Sequence, residues 1–367
     1  MRIALSLLSL RPGRVGGAET YVRALVRHLP DVAGGDELVL VVDRDVAPAV
    51  DAPGWHRAVV PVGARALVTQ RILEAYSPWR ARAIEEFLGD LGADVTLYPQ
   101  QSIFPREAPG VSVLTAVDVQ HLFFPENFGL FDRTFRPRVY PRSMARARHV
   151  IAISEFTRRT LIDRCALPAG KVTAVPFGVE PPDPRSPPVE PTELVEGPYL
   201  YTPAATYPHK GHEALLRSYA TLRKRGALVE RLVLSGQKTD LWDRRLRPLV
   251  RALGIEAEVV HLGFVPYAEV RRLFAGASAV VFPTRFEGFG LPVLEAVEFR
   301  RKIVTSRLEV FDEIGVPRAV QIDFENPDEL LAALAQPGPT RLEKAPATWQ
   351  ENAARTIEIL RRAAANQ

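Results

Sequence analysis

Short, unbroken apolar runs recur along this chain, separated by segments with helical spacing. That alternation restricts the fold more than any single residue does. Leu38-Val39-Leu40-Val41-Val42 is one such run and Ala279-Val280-Val281-Phe282 is another. A strand that is apolar on both sides needs cover on both faces, the condition of a parallel sheet between layers of helices. In the first half the runs predict strands over 3–10, 37–43, 95–98, 111–116, 149–154 and 172–176. Helices are predicted over 18–29, where Tyr21, Val22, Leu25, Val26 and Leu29 share a face, over 80–91, and over 155–164 with Ser154 as N-cap. Pro181-Pro182-Asp183-Pro184, Pro187-Pro188 and Pro191 then interrupt the pattern and read as a linker. The alternation restarts with strands over 199–202, 231–235, 259–263, 279–282, 302–305 and 319–322. The prediction is an α/β fold of two doubly wound, Rossmann-like domains facing across a cleft, with ligands outside the carboxyl ends of the strands. The domains are 1–180 and 199–345, joined by a linker over 181–198 and followed by a last helical stretch over 346–367. A chain of 367 residues is too long for one ordinary core, which agrees with two domains.

Composition removes several classes of function. The lone cysteine, Cys165, leaves no partner for an intramolecular disulfide, fits a reducing compartment, and reads as a small buried apolar residue. Cysteine and histidine are too sparse for a structural zinc site. No apolar run reaches the length of a membrane span, and Met1 to Leu10 reads as a first buried strand rather than a signal peptide. A net charge of +4 does not call for nucleic acid. The chain is therefore expected in the cytoplasm.

The segment Pro283-Thr284-Arg285-Phe286-Glu287-Gly288-Phe289-Gly290-Leu291-Pro292-Val293-Leu294-Glu295 carries the densest chemistry. It joins a strand end to a helix start, and Pro292 suits a first helical turn, where no backbone N–H is needed. Glycines here let the backbone approach a ligand, and the free N–H groups of the helix start favour an anion such as a phosphate. Two carboxylates beside an anion site make sense if the ligand also carries hydroxyls, which donate to carboxylates. A structural reading, a carboxylate serving the helix dipole, accounts for Glu295 but not for Glu287 with both glycines.

Four further clusters are candidates. Gly16-Gly17 lies between the first strand and its helix, as a ligand-facing loop or a plain turn. Lys210 follows the first strand of the second half, where it is either a solvated lysine or, opposite the Glu287 loop, a cation that neutralises a diphosphate. Asp118 and His121 follow the strand over 111–116, either as acceptor contacts or as a cap and a half-buried ring. Arg133, Arg136, Arg138, Arg142, Arg146 and Arg148 crowd one segment. They read as a solvated helix face or as a contact for an anionic acceptor or the inner membrane surface.

These motifs, in this order, resemble the retaining glycosyltransferases of the GT-B group, family 4. Glu287-Gly288-Phe289-Gly290-Leu291-Pro292 through Glu295 is similar to the family's paired-glutamate motif, and Gly16-Gly17-Ala18-Glu19 to its first glycine loop. Asp118-Val119-Gln120-His121 with Phe123-Phe124-Pro125-Glu126, and Pro203 to Lys210, resemble bacterial mannosyl- and rhamnosyl-type transferases. The resemblance implies a nucleotide-sugar domain in the second half and an acceptor domain in the first, with the last helix packing back on the first domain. It implies that Glu295 holds the ribose hydroxyls and Glu287 the donor sugar. The backbone around Phe289, Gly290 and Leu291, with Lys210, would stabilise the leaving diphosphate. It further implies hexose transfer from a GDP-, UDP- or dTDP-sugar to a glycan or lipid-linked precursor of the cell surface, with no metal and no other cofactor.

The chain departs from the pattern twice. Val117 stands where many relatives have a histidine before the aspartate, which moves that role toward His121. Pro203, Ala204 and Ala205 stand where many have an arginine, which leaves the diphosphate to Lys210 or to Arg285. Alternatives of the same architecture are a nucleotide-sugar epimerase or hydrolase and a non-catalytic nucleotide-sugar-binding protein.

Overall fold

A computed structural model describes residues 1–11, 16–74, 81–117, 119–180 and 188–365. The chain divides into two compact units. The first comprises Met1–Gly178 with Ala347–Gln367, and the second Val179–Pro346.

The first unit is built on a seven-stranded sheet in the order β3-β2-β1-β4-β5-β6-β7. Its strands are β1 (Arg2–Ser6), β2 (Glu37–Asp43), β3 (His56–Val60), β4 (Val95–Tyr98), β5 (Val111–Ala116), β6 (His149–Ala152) and β7 (Val172–Ala174). Its helices are α1 (Gly17–Ala33), α2 (Ala64–Glu74), α3 (Arg82–Asp90), α4 (Leu130–Arg146) and α5 (Glu155–Cys165), with α12 (Trp349–Ala365) from the end of the chain. Every pairing is parallel, for example Ile3 opposite Leu38 on one side and Val95 on the other. The apolar runs are buried on both faces: β4 and β5 expose no residue. Ser154 caps α5, its hydroxyl accepting from the Thr157 N–H at 2.9 Å.

Some boundaries differ from the sequence reading. The first strand ends at Ser6, and Leu7 to Leu10 instead form a buried turn closed by the Leu10 N–H on the Leu7 carbonyl. Leucine content alone does not distinguish a buried turn from a strand. The Pro-rich interval falls partly on residues 181–187, which lie outside the described residues.

The second unit carries a six-stranded parallel sheet in the order β10-β9-β8-β11-β12-β13. The strands are β8 (Tyr199–Pro203), β9 (Arg231–Ser235), β10 (Val259–His261), β11 (Ala279–Phe282), β12 (Lys302–Ser306) and β13 (Gln321–Ile322). Between them run α6 (His212–Lys224), α7 (Arg247–Leu253), α8 (Tyr267–Gly276), α9 (Leu291–Glu298), α10 (Glu309–Ile314) and α11 (Pro327–Ala335). One face of this sheet is packed by Leu215, Leu216, Tyr219 and Leu222 of α6 against Leu232, Leu234 and Val281. In both sheets the order reverses once, between β1 and β4 and between β8 and β11. Such a switch point leaves a crevice at the strands' carboxyl ends where no loop crosses.

Candidate active site

The second unit places two of its sequence-predicted polar residues at its switch point. Lys210 lies on the loop leaving β8, and Glu287 on the loop leaving β11, the neighbouring strand. The two side chains meet: Lys210 Nζ donates to Glu287 Oε1 at 2.5 Å, with side-chain exposures of 19% and 12%. An ammonium that is largely out of water needs such a partner. The ammonium also lies 5.5 Å from the centre of the Phe282 ring. It has three donors and Glu287 takes one, while the carboxylate keeps a second oxygen for another donor.

The loops fit together through their backbones. Gly211 has φ +67°, and a Cβ there would fall 1.9 Å from the Pro283 carbonyl oxygen. Only glycine allows this approach. The Arg285 N–H donates to the His209 carbonyl at 2.7 Å, and the buried Thr284 hydroxyl donates to the Phe286 carbonyl at 2.8 Å. His209 is buried and stacked on Tyr207 at 5.8 Å. Burial, helped by Lys210, pushes its imidazole down to about 3, so the ring adds no charge near neutral pH. Gly290, at φ +107°, packs against the Phe311 ring and starts α9, with Pro292 in its first turn. Leu291 therefore presents an N–H with no acceptor inside the helix. Phe289 is buried beside it.

Glu295 lies one turn into α9, beside Tyr267 of α8 and Glu298 of its own helix. Part of the side chain reaches solvent, yet protein surrounds the carboxyl closely. Burial, then the charge of Glu298, pushes it up to about 7. Arg271 holds Glu298 at 2.8 Å and offsets part of that repulsion. Tyr267, Arg271 and Glu298 were not found from the sequence. Tyr267 and Arg271 lie on α8, which no local spacing links to Glu295, while Glu298 is one helical turn further along α9.

The remaining candidates belong to the first unit. Gly16 caps α1 at φ +51° and Gly17 begins that helix, both exposed. A Cβ on Gly16 would meet none of the other described residues within 4 Å. His121 lies in a short 3₁₀ turn after β5, edge-on to Tyr140 at 5.3 Å. Burial and Arg136 push it down to about 4, and among the described residues its buried Nδ1 has no hydrogen-bond partner. It is a neutral ring with one unused nitrogen. Asp118 lies outside the described residues. Sequence reasoning missed Gln100 and Gln101, which follow β4 at the first sheet's switch point. Gln101 takes φ +58° and accepts from the Val117 N–H at 2.8 Å. Among the described residues neither end of the buried Gln100 amide has a hydrogen-bond partner. A residue other than glycine held in the left-handed region beside an unsatisfied amide is a common mark of a ligand site. The signal in sequence was two glutamines directly after a buried strand.

At the position of the missing arginine, Ala204 and Ala205 abut Gly236, whose added Cβ would lie 2.6 Å from the Ala205 nitrogen. Small residues there let two strand-end loops touch. Arg285 is exposed on the β11 loop.

Two family models match the chain in tandem: Glycosyltransferase Family 4 over residues 15–182 and Glycosyl transferases group 1 over residues 190–355. The O-antigen chain mannosyltransferase RfbU of Salmonella typhimurium is 23% identical over 216 residues, 59% of this chain and 57% of its own length. O-antigen chain mannosyltransferase B of Escherichia coli is 28% identical over 201 residues, 53% of this chain and 52% of its own. The chain thus spans about half the length of these curated relatives. Anabaena HepE, solved in complex with UDP and glucose, superposes with a TM-score of 0.63 at 16% identity, over 100% of this chain and 99% of that one. WaaG, a glycosyltransferase involved in lipopolysaccharide biosynthesis, gives a TM-score of 0.60 at 16% identity, over 99% and 98%. At these identities the structural likeness carries the fold, which is GT-B.

Proposed function

The chain belongs to the glycosyltransferases of family 4 and group 1, and on that footing we propose that it moves a hexose from a nucleotide diphosphate sugar to a glycan or lipid-linked precursor of the cell surface. Mannose- or rhamnose-type donors are favoured, with retention at the anomeric carbon and no metal. The observation that carries the reading is the Lys210–Glu287 pair at the β8/β11 switch point. A cation beside a carboxylate at a switch point supports a ligand that carries a diphosphate next to sugar hydroxyls. Solved HepE carries UDP and glucose, and RfbU and the Escherichia coli relative are mannosyltransferases, which supports the class of donor and product.

The roles follow from the chemistry of each group. Lys210 and the N–H groups at the start of α9 take up charge as the bond from the anomeric carbon to the diphosphate breaks. Glu287 accepts from hydroxyls of the transferred sugar. Glu295 accepts from the ribose. The acceptor oxygen bonds to the anomeric carbon on the face the phosphate leaves, and its proton passes to the departing phosphate oxygen. His121, neutral near pH 7, serves the acceptor as a hydrogen-bond partner, with Asp118 before it in sequence. The reaction is proposed at the cytoplasmic face of the membrane. Among the described residues no helix is long and apolar enough to cross a membrane.

The test is a thermal-shift screen with GDP-, UDP- and dTDP-sugars, since a ligand that binds only the folded chain raises its melting temperature. Transfer to lipid-linked and free glycans is then assayed with the stabilising donor, with and without chelator. Glu287→Gln keeps an acceptor for Lys210 but removes the charge, and transfer should fall on the order of 100-fold. Full activity in that variant refutes the role given to Glu287. Donor turnover without acceptor would instead identify a hydrolase or epimerase, and loss of transfer in chelator would refute the metal-free step.

A further inference from the structure

The arginine-rich segment of the first unit does not behave as one solvated face. Arg133 donates to the Pro125 and Phe128 carbonyls, and Arg136 pairs with Asp132 at 3.0 Å. Arg138, Arg142 and Arg146 instead line a cavity of about 260 Å³ between α2, α4 and the loop after β4, together with Arg71 and Arg106. Two carboxyl groups share that lining, Glu74 and Glu107.

Five guanidinium groups thus stand against two carboxyls in that lining. Glu107 serves two of them, Arg106 at 3.3 Å and Arg146 at 3.0 Å. Glu74 is buried and accepts from the Arg106 N–H, and burial pushes it up to about 7. Arg71 remains charged, because a guanidinium does not lose its proton in a protein. Its Nη2 donates to the Ser102 hydroxyl at 2.5 Å, and its Nε is shut off from solvent without a hydrogen-bond partner among the described residues. Arg142 is exposed on α4, with no ion pair or hydrogen bond of its side chain among the described residues. Ile103, Phe104 and Val139 give the cavity apolar walls, which lower the local dielectric and strengthen any charge interaction inside.

We propose that this cavity is an oxyanion site of the first unit, shaped for a phosphoryl or pyrophosphoryl group. Planar guanidinium forks match phosphate oxygens two at a time. The excess of positive charge suits a multiply charged anion better than a single carboxylate. The ligand is a soluble phosphorylated molecule or the phosphate of a lipid headgroup. The site shares no residue with the Lys210–Glu287 pair and does not rest on the transfer reading.

The experiment has a locating arm and a solution arm. Crystals soaked in tungstate, a tetrahedral oxyanion, should show an anomalous peak among Arg71, Arg138 and Arg142. In a Lys210→Ala background, which weakens any pyrophosphate site in the second unit, inorganic pyrophosphate is titrated by calorimetry. Arg142→Glu should weaken binding at least tenfold, while Arg244→Glu, the same charge change on the exposed surface of the second unit, should leave it unchanged. Both variants are checked for an unaltered melting temperature without ligand. Sedimentation with phosphatidylglycerol vesicles, against phosphatidylcholine, separates the two sources. Vesicle binding that Arg142→Glu abolishes and Arg244→Glu does not supports a headgroup occupant. An empty cavity in the tungstate map, or pyrophosphate and vesicle binding that Arg142→Glu and Arg244→Glu alter equally, overturns the site.

Discussion

At the residue scale the most consequential group is Glu295, because its ionisation lies in the range where the protein would work. Burial and Glu298 raise it to about 7, well above an ordinary glutamate. In the role proposed for Glu295, ribose hydroxyls would donate to it, and the ionised carboxylate is the better acceptor. Donor affinity should then fall as pH drops through that value, by about tenfold between pH 8 and pH 6, since the ionised fraction changes tenfold over that interval. Glu295→Gln should bind more weakly than the parent at pH 8 and lose the pH slope, which calorimetry at several pH values measures. A slope that persists in Glu295→Gln assigns the titration elsewhere. The sequence made this carboxylate visible through its spacing from Glu287, but not its raised pKa. That property comes from Tyr267, Arg271 and Glu298, and two of these reach it from α8, a different helix. Lys210 and Glu287 show the same division. Each was legible as a strand-end polar residue, while their direct pairing depends on β8 and β11 being sheet neighbours despite the long stretch of sequence between them.

At the scale of elements, the β8–α6 and β11–α9 loops are closely fitted backbone to backbone, and glycine is what allows it. Gly211→Ala introduces a methyl group against the Pro283 carbonyl and also forces a left-handed φ on a residue with a side chain. The φ penalty is roughly 1–2 kcal/mol and overpacking adds roughly 1–3 more. The variant should lose about 3 kcal/mol of stability by denaturant unfolding, and donor binding should weaken because Lys210 and Glu287 are displaced together. A variant as stable as the parent would mean the loops accommodate the methyl group and are not tightly fitted. The strands themselves were legible wherever they are buried on both faces: β2, β4, β5, β9 and β11 lie where their apolar runs predict. β3 was not, because it is an edge strand whose residues His56, Arg57 and Val59 are exposed, so no apolar run marks it. α2 was invisible for a related reason, since Val68 and Leu73 are exposed and the apolar residues gather on no single face. α4 was legible as one of two readings of the arginine-rich segment, a helix face, but not in its span, because Pro137 and Pro141 sit inside the helix where sequence rules place a break.

At the scale of the whole molecule, the first unit is discontinuous in sequence: the chain leaves it after Gly178 and rejoins it at Ala347. The two crossings are locked together, since a Cβ on Gly178 would lie 2.3 Å from the Thr348 and Trp349 backbone. Thr348 and Glu351 form a reciprocal cap at the start of α12, with Glu351 accepting from the Thr348 N–H at 2.7 Å and the Thr348 hydroxyl accepting from the Glu351 N–H at 3.1 Å. Trp349 then packs on Phe177 at 5.6 Å and Tyr21 at 6.4 Å, while Ile357 and Leu360 bury the same face of the helix on α1 and the sheet. Polar ties follow along the helix, from Asn352 to the Pro176 carbonyl, Arg355 to that of Ala174 and Arg361 to Asp36. The last helix is therefore a structural part of the first unit rather than an appendage. Trp349→Ala should destabilise that unit by about 3–5 kcal/mol, the usual cost of emptying a buried aromatic site. Truncation after Pro346 should go further and expose the apolar faces of Tyr21 and Phe177. The second unit lies wholly within Val179–Pro346 and keeps its own core. Calorimetry of the truncated chain should then show one unfolding transition lost and the other retained, with increased binding of a hydrophobic dye. Loss of both transitions would make α12 essential to the whole chain, and retention of both would show that the first unit folds without it.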